Sequence, residues 1–221
     1  MNYLAHFFVD EKSNNPFYNT GLILPDLCRG YIKSFKLIQP DVSNLTLYSL
    51  HQGCMAHYYA DKKFHASTFF ENTLQLVLNL INKAPFSTQL KRKWFLAHVM
   101  TELLLDRILI KSNPTLVDRF YSNLQNCSLK DLRVFLMLYD IKELDNFIRH
   151  FNHFVGVAYI QFYPNNIKFV FSLNRIMMKA GVGPIVAADE LVLLTIIDEA
   201  EAIVLHEVKA INEDLKRVIH E

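Results

Sequence analysis

Two stretches of this chain carry side chains able to hold a metal ion. In "HYYADKKFH" the residues His57, Asp61 and His65 step by four; in "WFLAHVMTELLLDRILI" His98, Glu102 and Asp106 do the same. On a helix that interval stacks side chains along one face, a turn apart. Imidazole nitrogen and carboxylate oxygen suit Zn, Mn or Fe, and one turn brings two such groups to a common ion. Two facing helices bearing these pairs are a way to build a metal centre in a bundle core. About one residue in seven is His, Asp or Glu, so chance alone supplies somewhat under one such triad, and two exceed that rate.

The second ladder is set in an apolar helix: Trp94, Phe95, Leu96, Val99, Met100, Leu103, Leu104 and Leu105 surround it. An ordinary solvated stripe is the competing reading. The ladder lacks the mixed polar residues of the C-terminal "EVKAINEDLKR". If it faces inward, its ionisable groups need an ion or one another. His6 and Asp26 are weaker alone, His6 reading as a hydrogen-bonded core residue and Asp26 as a turn cap. His51 lies off the ladder's face, and His150 and His153 read as structural.

Something must position these groups, and the pattern of the chain predicts helices. Glycine is scarce and long periodic segments dominate, so the expectation is one all-α domain over residues 1–221, an HD-like helical bundle with a long C-terminal helix. The metal motifs fall in 1–110, with helical completion in 111–221. Helices are predicted over about 44–70, capped by Asp41 or Ser43, and 88–111, capped by Ser87. Others are predicted over about 115–125, 129–139, 141–160, 165–179 and 186–219. With a formal charge of +1 the chain has no global drive towards nucleic acid or anionic membrane. Cys28, Cys54 and Cys127 are odd in number and unpaired by motif, as free thiols in a reducing compartment are. The opening apolar run is too short for a signal peptide, and no uncharged run reaches the ~18 residues of a membrane span. A soluble cytoplasmic protein is the expectation.

On these residues the chain resembles the acyl carrier protein phosphodiesterase family, an all-helical group distantly similar to HD-type phosphohydrolases. The family opens with a segment like "MNYLAH", present at Met1 to His6. Its GN-x-x-x-D-x-x-(K/R)G element is matched by "GLILPDLCRG" at Gly21, Asp26, Arg29 and Gly30. The family's H-x-x-x-D is His57 and Asp61; where it continues with an acid, this chain has His65. A later helix carries His98 and Glu102, followed by Leu103 where the family has histidine. The basic pair of H-R-R-x-D is replaced by Tyr58 and Tyr59, with Lys62 and Lys63 just after. Beyond the first half, only "LNRI" at Leu173 to Ile176 and the helical pattern are similar.

The resemblance implies hydrolysis of the phosphodiester joining 4′-phosphopantetheine to a carrier-protein serine, or of a related phosphoester, with a divalent cation, typically Mn²⁺ (Fe or Zn being open). His57, Asp61, His98 and Glu102 would be direct ligands, and His6 a further one. Asp26, His65 and Asp106 would orient them or act as general acid and base, with Arg29, Lys62 or Lys63 on phosphate oxygens. An acidic carrier protein calls for a basic patch, for which Lys33, Lys36, Lys62, Lys63 and the "KRK" at Lys91 to Lys93 are candidates. The aromatic "FVGVAYIQFY" reads as core, or as lining for a pantetheine arm. Two other classes stay open: an HD-like iron protein with oxygen chemistry, and a non-enzymatic helical module whose site has drifted. The last helix can pack on its own domain or on a second subunit in a homodimer.

Overall fold

The computed structural model describes residues 1–211 and 215–220. Twelve α-helices and no strand occur among the described residues: α1 Tyr3–Asp10, α2 Pro16–Gly21, α3 Leu24–Leu27, α4 Leu45–His65, α5 Thr68–Lys83, α6 Lys93–Ser112, α7 Thr115–Gln125, α8 Leu129–Met137, α9 Leu144–Val157, α10 Asn166–Lys179, α11 Ala187–Ala210 and α12 Leu215–His220. The all-helical expectation holds. No helix among the described residues is long and apolar enough to cross a membrane.

Several boundaries differ from the sequence reading, each for a local reason. The helix expected to reach Phe70 stops at His65, because the Ser67 side chain accepts from the Phe70 amide and starts α5 afresh. Asn44, not Asp41 or Ser43, caps α4, accepting from the Leu47 amide; Asp41 instead accepts from the Ser43 amide in the preceding turn. Ser87 does not cap α6: its amide and hydroxyl both donate to the buried Asp189 carboxylate at 2.8 Å, its Oγ accepts from the Gln89 amide in the turn that follows, and α6 begins only at Lys93. The last predicted helix is divided, α11 ending at Ala210 and α12 beginning at Leu215; residues 212–214 of that span lie outside the described residues.

The chain divides into two compact units. The first comprises Met1, Tyr3–Lys63 and Pro114–Ile160. Within it α7 packs on α1, α2 and α9, and α8 packs on α9. Phe7, Phe120, Tyr121 and Phe154 interlock edge to face in its core, and Phe35, Phe135 and Tyr139 form a second aromatic group. Such offset and edge-on contacts add to the area each ring buries. His51 belongs to this framework: its Nδ1 is 2.9 Å from the Tyr139 hydroxyl, which donates to the Ile38 carbonyl.

The second unit comprises Asn2, Phe64–Asn113 and Gln161–Glu221. Here α5, α6 and α11 pack mutually, with α10 against α6 and α11. The apolar stripe that the sequence shows on α6 is this core: Leu96, Met100, Leu103 and Leu104 are fully buried or nearly so. Arg107, also buried, is held by Glu201 at 2.8 Å and by Asn166. A buried guanidinium needs such partners because an unpaired charge in a core is strongly destabilising.

Candidate metal sites

The first unit's group is assembled where α2 and α4 cross at backbone distance. A Cβ on Gly53 would collide with the Tyr18 carbonyl, and one on Gly21 with the Leu50 carbonyl, so only paired glycines permit this approach. One turn after Gly53, His57 points its Nδ1 at the Leu22 carbonyl oxygen, 2.8 Å away. A carbonyl only accepts, so Nδ1 carries the proton and Nε2 keeps its lone pair for a ligand. The sequence singled out His57 but had no means of finding the Leu22 carbonyl that sets its tautomer.

His6 of α1 lies fully buried, its ring stacked on that of His57 with centroids 3.8 Å apart. Among the described residues neither of its ring nitrogens has a hydrogen-bond partner; the Asp61 carboxylate stands 3.7 Å from Nε2. A buried polar atom left unmade costs about 1–3 kcal/mol, so an orphaned imidazole calls for an explanation. Asp26 of α3 supplies one. Ligating atoms of His6, Asp26 and His57 all lie within 4.8 Å of one another. Burial, reinforced by the neighbouring His57, holds the His6 pKa well below its ordinary value, against the pull of Asp61. Burial also lowers that of His57, with Asp26 and Asp61 opposing. Both rings are thus biased towards the neutral form, which can coordinate an ion without first giving up a proton.

A cleft of about 360 Å³ opens beside this group, lined among others by Asp26, Arg29, Lys33, His57, Tyr58 and Asp61. The turn at Gly30, whose φ of +93° a residue with a Cβ adopts only under strain, carries Arg29 and Lys33 at its edge. Arg29 pairs with Asp26 at 3.0 Å but is 78% exposed, a surface pair of small worth. Asp61 accepts from the Met1 amino group at 2.8 Å. Lys33, read from sequence only as part of a docking patch, lines the cleft. Lys62 and Lys63 are not among its lining residues; Lys63 sits over the Tyr59 ring instead.

The second unit holds the other group. His65, the last residue of α4, and His98 of α6 both direct Nε2 at Glu102 Oε1, at 2.9 and 3.1 Å. Their rings stack at 5.0 Å. Burial would raise the Glu102 pKa, yet the carboxyl is held well below its usual range, and the hydrogen bonds from His65 and His98 act in that direction. Ligating atoms of the three lie within 4.8 Å of one another. Asp106, the third member of the α6 ladder, belongs to neither group: it is fully buried and accepts from Asn2 Nδ2 at 2.6 Å. His153 is exposed and His150 half-buried. Of the aromatic run, Phe154, Ile160 and Tyr163 are core residues.

Acid should destabilise the metal-free protein. His6, His57 and His51 all titrate below the ordinary histidine pKa of 6.5, burial being the first cause in each case. Between those values and 6.5 the unfolded chain binds protons that the native chain does not. Stability is therefore whole above about pH 6.5 and falls as pH drops through the native values. The urea midpoint of chelator-treated protein should be lower at about pH 5.5 than at about pH 7.5. Equal midpoints would mean that these rings are not held neutral by burial.

Comparison with protein-family models, with curated proteins and with solved structures gives no match.

Proposed function

We propose that the first unit carries a metal-dependent phosphodiesterase centre, in which His6, Asp26 and His57 hold a divalent cation at the head of the cleft. The observation that carries this reading is the buried, unpartnered His6 ring beside His57 and Asp26, next to a cleft edged by Arg29 and Lys33. A divalent cation bound there supplies a Lewis acid for a phosphoryl oxygen and makes water more acidic. The protein's own groups do the rest. The Leu22 carbonyl fixes the His57 ring, and Arg29 and Lys33 hold non-bridging phosphate oxygens. Asp61 takes the proton of the water that bonds to phosphorus and returns it to the alcohol oxygen whose bond to phosphorus breaks. Mn²⁺ is the expected ion, and the substrate class is a phosphodiester such as the 4′-phosphopantetheine linkage of a carrier protein.

The test is hydrolysis by Mn²⁺-loaded protein of a phosphopantetheinylated carrier protein and of bis-p-nitrophenyl phosphate. Release from either, abolished by chelator and restored by Mn²⁺, supports the reading; no hydrolysis of either overturns it. Replacing Lys33 with alanine should raise KM about tenfold while altering kcat less, since a cation that holds phosphate equally in ground and transition states contributes uniform binding. An unchanged KM would remove Lys33 from the phosphate site.

A further inference from the structure

The His65, His98 and Glu102 group takes no part in the reaction proposed above. We propose that it is a metal site in its own right, a His₂Glu set that binds one divalent transition-metal ion and leaves a coordination position open to water or a small ligand.

The geometry is close to what such an ion needs. Donor atoms around a tetrahedral ion at ~2.1 Å lie roughly 3.4 Å apart. The two Nε2 atoms already stand 2.9 and 3.1 Å from Glu102 Oε1; with each ring's proton moved from Nε2 to Nδ1, an opening of a few tenths of an ångström admits the ion. The rings are also held in place. His65 meets Phe70 edge on at 4.8 Å; His98 meets Phe70 at 5.1 Å and Trp94 at 5.3 Å. His98 and Glu102, one turn apart on the continuous α6, keep their spacing by helix geometry. Rings locked by packing are the preorganised support that a metal set requires.

Access and ion preference follow from burial and donor type. Side-chain exposures of 29% for His65, 21% for His98 and 14% for Glu102 leave one side of the group open to solution. Two imidazoles and one carboxylate favour Zn²⁺, Co²⁺, Ni²⁺ or Fe²⁺ over the all-oxygen ions Mg²⁺ and Ca²⁺. Three protein ligands leave the fourth position for water or substrate. His65 is the residue that makes this possible: an acid in its place would give a set of one imidazole and two carboxylates.

Trp94 provides the readout. It is the single tryptophan of the chain, and its ring lies 5.3 Å from that of His98. Titration of chelator-treated, full-length protein with Co²⁺ or Ni²⁺ should quench its fluorescence in the wild type and in His57→Ala. The near-isosteric Glu102→Gln should weaken that quenching at least tenfold, as should His98→Ala, with helical circular dichroism confirming that each variant is folded. Absence of quenching in the wild type overturns the proposal, and so does quenching unaltered in Glu102→Gln. Quenching lost in His57→Ala as well as in Glu102→Gln would overturn the independence of the site. Quenching that survives in His57→Ala while phosphodiester hydrolysis is absent from the wild type would uphold this site and refute only the function proposed for the first unit.

Discussion

His57→Ala should abolish Mn²⁺-dependent phosphodiester hydrolysis and strip the ion from the first unit. Removing a mere outer partner of a metal ligand costs about 10–100-fold in affinity or activity, so loss of the ligand itself should exceed about 100-fold. The variant also removes one face of the His6 stack and leaves the Leu22 carbonyl without its imidazole donor. Some stability is therefore lost as well, of the order of the ~1–3 kcal/mol of a buried hydrogen bond left unmade. Metal content by elemental analysis, rate in saturating Mn²⁺ and the far-ultraviolet helical signal separate these effects. A folded His57→Ala protein that keeps both its metal and its rate would refute the assignment of His57 as a ligand. Leu22 offers no side-chain handle on the carbonyl, so His57→Gln is the informative companion. It retains a donor for the carbonyl but presents an amide to the ion, and should recover stability without recovering activity.

How much of this was legible in the sequence depends on the range of the interaction concerned. The helices followed from local periodicity, since apolar spacing on α6 and α7 reflects faces that pack at every turn. Helix ends were less legible because capping is a contest between neighbours. Ser87 has the chemistry of a cap, yet the buried Asp189 carboxylate, far along the chain, claims both its amide and its hydroxyl. The ladders identified His57, His65, His98 and Glu102, whose spacing of four is written into the chain. The grouping is another matter. His6 and Asp26 join His57 from α1 and α3, with no periodic relation to it, and a lone histidine in an apolar segment carries no sign that its ring will be unpartnered. Asp106 shows the converse. It has the spacing of a ligand, but the Asn2 amide takes it.

The crossing that seats His57 can be tested through Gly53, by a substitution that touches no ionisable group. An alanine at an interior helical position is ordinarily favourable, by about 0.8–1.0 kcal/mol over glycine. At Gly53 the added methyl meets the Tyr18 carbonyl and the Gly21 Cα, both backbone atoms that no rotamer change can move aside. The helices must separate, and overpacking of this kind costs typically ~1–3 kcal/mol, occasionally more. Gly53→Ala should therefore lower the Tm, by about 6–12 °C for a 3 kcal/mol loss in a chain of this length. Gly156 on α9 is the control: an added Cβ there meets nothing within 4 Å, and Gly156→Ala should be neutral or stabilising by up to about 1 kcal/mol. A Gly53→Ala protein as stable as Gly156→Ala would disprove the close crossing. The same displacement moves the Leu22 carbonyl away from His57 Nδ1, one turn beyond the clash. Mn²⁺ affinity in Gly53→Ala should fall about 10–100-fold, the loss seen when the partner that orients a ligand is removed. Loss of stability and of affinity together in Gly53→Ala would couple fold and candidate site through a single methyl group, at the glycine pair of α2 and α4.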